Sequence, residues 1–203
     1  ALTEDFRGNS KLRLAQNAVT QTTADDVALN REIVTGAAFT FSTTLDDWGV
    51  TNQKRSGRCW MFAALNLLRV GAMKTMNLNN FEFSQNYLMF WDKIERANLL
   101  LEAIIETADR PVDDRTVAWL LQRSIEDGGQ WDMFVNLVKR HGVVPKTAMP
   151  ESESSSNTAR MNSILNYQYR QGAKRIRDIY AREGGLSGMR SAKEETLKVI
   201  YDI

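Results

Sequence analysis

A mainly α-helical chain is the fold class this sequence predicts, and three observations predict it. Apolar residues at 61, 62, 65, 68, 72, 73 and 76 keep the i, i+3, i+4 spacing of one helix. Ser84 stands as an N-cap ahead of Tyr87-Leu88-Met89-Phe90-Trp91, an apolar run suited to a second. Later stretches repeat the pattern, whereas strand-like alternation is confined to Phe39-Thr40-Phe41-Ser42.

Taken in order, Leu12 to Val19 reads as a short amphipathic helix and Ala24 to Val34 as another, with Thr23 or Asp25 as caps. The segment from Thr43 to Val50 then delivers the chain to Gln53. The helix after Cys59 is apolar on nearly every side, yet Asn66, Arg69 and Lys74 interrupt it and it is too short to span a bilayer. Asn77-Leu78-Asn79-Asn80 turns the chain into the Ser84-capped helix, which Asp109-Arg110-Pro111 ends. Asp113 to Ser124 is helical, with Val117, Leu120, Leu121 and Ile125 on one face. Trp131 to Arg140 follows, with Phe134, Leu137 and Val138 inward and Gly142 as its stop. Glu151-Ser152-Glu153-Ser154-Ser155-Ser156-Asn157 reads as an exposed polar loop. A charged segment runs on to a break at Glu183-Gly184-Gly185, and Lys193 to Tyr201 is helical again. Three segments result: an arm over 1–50, a helical body over 51–150 and a charged helical segment over 151–203.

Composition excludes several classes. Hydrophobic residues make up 43% and charged residues 25% of the 203, the balance of a folded protein with room for one sizeable core or two small ones. A net charge of +1 offers no general attraction for nucleic acid. The basic stretch Arg170 to Arg177 is the one weak argument for such a partner. Its interleaved Ile176, with Ile179 and Tyr180 beyond, favours a solvated helix face instead. A single cysteine rules out an internal disulfide framework, and the first residues lack the basic start and apolar centre of a signal peptide. The expectation is a cytoplasmic protein with no membrane span, no metal and no cofactor.

That cysteine, Cys59, is the chemical centre of the sequence. Gly57 before it permits close approach of another group, and the apolar helix begins directly after it. The first turn of a helix carries the positive end of the macrodipole and N–H groups without intrahelical acceptors, which favours a thiolate, the reactive form. Gln53, six residues upstream, supplies an amide that can donate to an oxyanion beside the Cys59 N–H. The competing reading is a small buried thiol with no chemistry. Gly128 and Gly129 form a second candidate: paired glycines expose backbone groups to which an extended peptide can pair, and equally suit a helix end and turn.

The order glutamine, three residues, glycine, one residue, cysteine, tryptophan resembles the papain-like cysteine peptidases. With flanks included, Asn52 to Ala63, Phe83 to Arg96 and Asp127 to Lys146 resemble the bleomycin hydrolase and aminopeptidase C branch of that superfamily. The resemblance implies the helical half of a papain-like α+β fold, with the β-rich half missing from these residues. It implies Cys59 as nucleophile, Gln53 in the oxyanion hole and Gly128 and Gly129 holding the substrate backbone. It also implies aminopeptidase action on peptide substrates and a homohexamer whose active sites face an inner channel. Secreted papains join two positions corresponding to Ser56 and roughly Glu126 by a disulfide; here neither is cysteine, in keeping with a reducing compartment.

Such chemistry needs a histidine base and a group to orient it, commonly asparagine. The chain holds one histidine, His141, in a segment the resembled branch uses structurally. The expectation is therefore an N-terminal portion of a longer enzyme, inactive alone, whose histidine and asparagine lie beyond Ile203. The alternative is a non-catalytic papain-like chain that serves a structural or nucleic-acid-binding role.

Overall fold

The computed structural model describes residues 2–37, 40, 42, 49–122 and 125–203. They form eleven helices and no strand, the backbone bridges Arg55–Asn157 and Phe83–Pro145 being isolated. The helical class is as predicted; the alternating stretch Phe39 to Ser42 lies outside the described residues, as does most of Thr43 to Val50. The chain divides into two compact units, Ala1–Asp47 and Trp48–Ile203.

The first unit holds α1 (Leu2–Gly8), α2 (Ser10–Val19), α3 (Ala24–Ala28) and α4 (Arg31–Gly36). Side-chain caps start three of them. Asn9 accepts from the N–H groups of Lys11 and Leu12, Thr23 from that of Asp26, and Asn30 from those of Glu32 and Ile33. The last cap splits the single helix expected over Ala24 to Val34, and α1 had no clear signal. Helices α2 to α4 bury no residue.

In the second unit α5 (Cys59–Met76) ends on Asn77, whose left-handed backbone (φ 51°) forms the expected turn. Met61, Phe62, Ala64, Leu65, Arg69 and Met73 face inward, while Cys59, Ala63 and Leu67 line an exposed face. Within these 203 residues the helix is covered along one side. α6 (Gln85–Glu106) begins where Ser84 Oγ accepts the Tyr87 N–H at 3.0 Å. It is followed by α7 (Arg115–Gln122), α8 (Trp131–His141), α9 (Glu153–Ser156), α10 (Ala159–Glu183) and α11 (Leu186–Asp202).

Two cores share α6. Its first half packs Leu88 and Met89 against Met61, Ala64 and Leu65 of α5 and Phe134 and Leu137 of α8. Its second half packs Ala97, Leu101 and Ile104 against Leu120 of α7, Tyr169, Ala173 and Ile176 of α10, and Met189 and Ala192 of α11. Met161, near the start of α10, touches both.

Two expectations about the last quarter change. The serine-rich tract is not a free loop: Ser152 and Ser155 cap one another's backbone, α9 forms, and Ser155 is fully buried. The basic stretch lies on α10 and is internally engaged. Lys174 pairs with Asp178, Arg175 with Glu195, and Arg177 donates to the carbonyls of Thr107 and Arg110. No helix among the described residues is long and apolar enough to cross a membrane.

Candidate active site

The loop ahead of α5 is held at several points. Asn66 Nδ2 donates to Thr51 Oγ1 at 2.7 Å, and Asn52 Oδ1 accepts the Lys54 N–H at 2.8 Å. That turn leaves Lys54 in the left-handed region at φ 56°, a strained place for a side chain. Gln53 is half-buried, and its carbonyl accepts Ser56 Oγ at 2.7 Å. Arg55 closes the loop onto α9, its N–H donating to the Ser156 carbonyl at 2.9 Å.

Arg58 carries the most consequential burial in this loop. Its guanidinium is fully buried and meets Glu151 through two bonds of 3.0 and 2.7 Å, while its Nε donates to Ser56 Oγ at 2.9 Å. Burial alone would raise the Glu151 carboxyl; the Arg58 and Ser155 hydrogen bonds outweigh it and hold the group below its ordinary value. With Arg58 turned inward, no side chain caps α5, so its first-turn N–H groups are left for other acceptors. Cys59 follows as the first residue of α5, with its thiol exposed.

Gly128 and Gly129 are docked against that loop. A Cβ on Gly129 would lie 2.5 to 2.8 Å from three atoms of the Trp60 indole, so only glycine fits there. Trp60 Nε1 donates to the Asp127 carbonyl at 2.7 Å. A Cβ on Gly57 would sit 2.9 Å from Asp127 Cβ, which is the close approach expected of that glycine. From α6, Arg96 donates to the Gly128 carbonyl and to Asp92 Oδ2, the latter at 2.8 Å, and its guanidinium carbon lies 6.0 Å from the Trp60 ring centroid. The structure thus brings the cysteine loop and the glycine pair together.

Sequence reasoning singled out the stretch Asp127-Gly128-Gly129 but gave its aspartate, which joins them, no role. Asp127 Oδ2 accepts the Gly57 N–H at 3.0 Å and the Thr158 hydroxyl at 2.5 Å. Its Oδ1 accepts Lys93 Nζ at 2.6 Å and Asn162 Nδ2 at 2.9 Å. Burial would raise this carboxyl, but the Gly57 N–H, Lys93 and Thr158 hold it well below the usual carboxylate range. Burial lowers the Lys93 amine, with Asp127 opposing. One signal in the sequence pointed here: Asp92 and Lys93 fall four residues after the core residues Leu88 and Met89, so two charges lie on the buried stripe of α6 and need partners. The link between the loops that carry Ser56 and Glu126 runs one residue further along, from Gly57 to Asp127.

His141 is committed elsewhere. Its Nε2 lies 3.0 Å from Glu95 Oε1, and its ring stacks on Trp91 with centroids 4.1 Å apart and planes 7° from parallel.

The family model described as Peptidase C1-like matches residues 1–203. Bleomycin hydrolase of Rattus norvegicus is 43% identical over 98% of this chain and 46% of its own length. Aminopeptidase C of Streptococcus thermophilus is 42% identical over 98% of this chain and 44% of its own. The crystal structure of PepW from Lactobacillus rhamnosis HN001 superposes with a TM-score of 0.83 at 40% identity, covering 99% of this chain and 45% of that one. The chain spans somewhat under half the length of these relatives.

Proposed function

The chain belongs to the Peptidase C1-like family, and from that premise we propose that it carries the nucleophile-bearing part of a cysteine aminopeptidase. One observation supports this above the others: an exposed thiol heads α5, and the next residue, Trp60, packs against Gly129 of the glycine pair. Cys59 as thiolate attacks a peptide carbonyl, and the resulting oxyanion accepts from the Gln53 amide and the Cys59 N–H. Gly128 and Gly129 pair with the substrate backbone. The base is a histidine outside these 203 residues, since His141 is occupied by Glu95 and Trp91. It protonates the leaving amine, and water then releases the acyl group from sulfur. Trp60 packs behind the site and takes no chemical part. These 203 residues alone are inactive, and the complete enzyme works as a cytoplasmic homohexamer.

The test uses the full-length protein and peptides with free or acetylated N-termini. Cleavage of the free form only, abolished in Cys59→Ser and reduced roughly 10²- to 10³-fold in kcat by Gln53→Ala, is the expected result. Unchanged turnover in Cys59→Ser would falsify the assignment. Equal cleavage of both peptides would replace aminopeptidase with endopeptidase. Sedimentation of the full-length protein checks the hexamer.

A further inference from the structure

We infer that Asp127 is a positioning residue that sets the register between the nucleophile and the substrate-binding glycines; the inference rests on the peptidase reading above. Asp127 stands immediately before Gly128-Gly129, and its carboxylate grips the N–H of Gly57, two residues before Cys59. Few side chains are held so completely: both oxygens accept two donors, drawn from the cysteine loop, from α6 and from the start of α10. The side chain is 8% exposed and Lys93 5%, so the pair is screened little by solvent. Its main chain adds a second tie, the Asp127 carbonyl to the Trp60 indole at 2.7 Å.

The geometry leaves little slack. Gly57 and Asp127 approach so closely that a single methyl on Gly57 would collide. Gly129 is tighter still, since a Cβ there would lie 2.5 Å from the Trp60 ring. A peptide laid along Gly128-Gly129 therefore presents its carbonyl at a height set by the carboxylate of Asp127. Thr158 and Asn162 fix that carboxylate to α10, and Lys93 fixes it to α6. Displacement of a reacting group by about 1 Å costs on the order of 100-fold in rate, so a loosened pin is felt at the thiol although Asp127 touches no reacting atom.

The test compares two electrophiles on Cys59 in the full-length protein. A peptidyl chloromethyl ketone needs both the thiol and the glycine pair; iodoacetamide needs only the thiol. In Asp127→Asn, which keeps the shape but cannot accept four donors, peptidyl capture is expected to fall roughly tenfold or more while iodoacetamide capture is unchanged. Should both rates fall together with the melting transition, Thr158→Val decides, because it removes one donor and leaves the charge pair intact. A selective loss of peptidyl capture in Thr158→Val supports the inference; a parallel loss or none overturns it. Unaltered selectivity in Asp127→Asn with the melting transition unmoved also overturns it and leaves the peptidase reading standing. If the wild-type protein shows no preference for the peptidyl reagent, the peptidase reading fails and the inference with it.

Discussion

Arg58 illustrates how single charges are kept inside this protein. Its side chain is 1% exposed, and Glu151 answers it with a bidentate bond that no surface pair can match. Removing one partner strands the other, so Glu151→Gln is expected to cost about 3 kcal/mol in urea unfolding. Lys174→Ala, which breaks a pair with far more exposed side chains, should leave the midpoint where it was. Acid gives a second residue-scale prediction. Asp127 and Glu151 titrate below their unfolded values, so their stabilisation is complete above roughly pH 5, starts to fall in the ordinary carboxylate range and is gone only once pH passes below their lowered folded values. Asp92 has the opposite sign: burial raises its carboxyl against the pull of Arg96, and it costs stability as pH rises. The gap in unfolding free energy between wild type and Asp127→Asn should therefore narrow from about pH 6 to 3, and a constant gap would refute it. At this scale the cysteine, glutamine and glycines could be picked out as candidates because a motif is local. Arg58 was not, since its acceptor lies 93 residues away and nothing near it in sequence announces burial.

Among the elements, α10 and α11 are in close contact where Gly172 faces Thr196. A Cβ on Gly172 would meet Thr196 Cγ2 at 2.4 Å, Oγ1 at 2.6 Å and Cβ at 3.0 Å, so no rotamer of the threonine relieves the clash. Glycine to alanine inside a helix ordinarily gains up to about 1 kcal/mol. Here overpacking of about 1 to 3 kcal/mol outweighs it, and Gly172→Ala is expected to lower the thermal midpoint. Thr196→Ala in the same chain should recover most of the loss, and a raised midpoint in the single variant would contradict the packing argument. Elements announced by a local cap were readable beforehand, as with Ser84 and Thr23. The serine tract misled because its polarity suits a loop equally well; what makes it α9 is reciprocal capping and the Ser155 hydroxyl reaching Glu151 at 2.7 Å.

Across the whole molecule, packing is concentrated in the second unit. Leu101 is fully buried in the larger core, and Leu101→Ala should cost about 2 to 5 kcal/mol. Leu14, 71% exposed on α2, should tolerate the same change within about 0.5 kcal/mol, and urea melts of the two variants compare them directly. The longer helices followed from periodicity, while the pairing of α6 with two separate cores did not, because one long stripe looks the same whether one partner or several cover it. The site inherits its rigidity from this arrangement. Thr158 and Asn162 open the 25-residue α10, whose remainder builds the larger core. The proton on the Gly57 nitrogen ends on the carboxylate those residues hold. Its replacement by deuterium has to wait for α10 to come away, so a loop amide at the protein surface should keep time with the slowest helical amides.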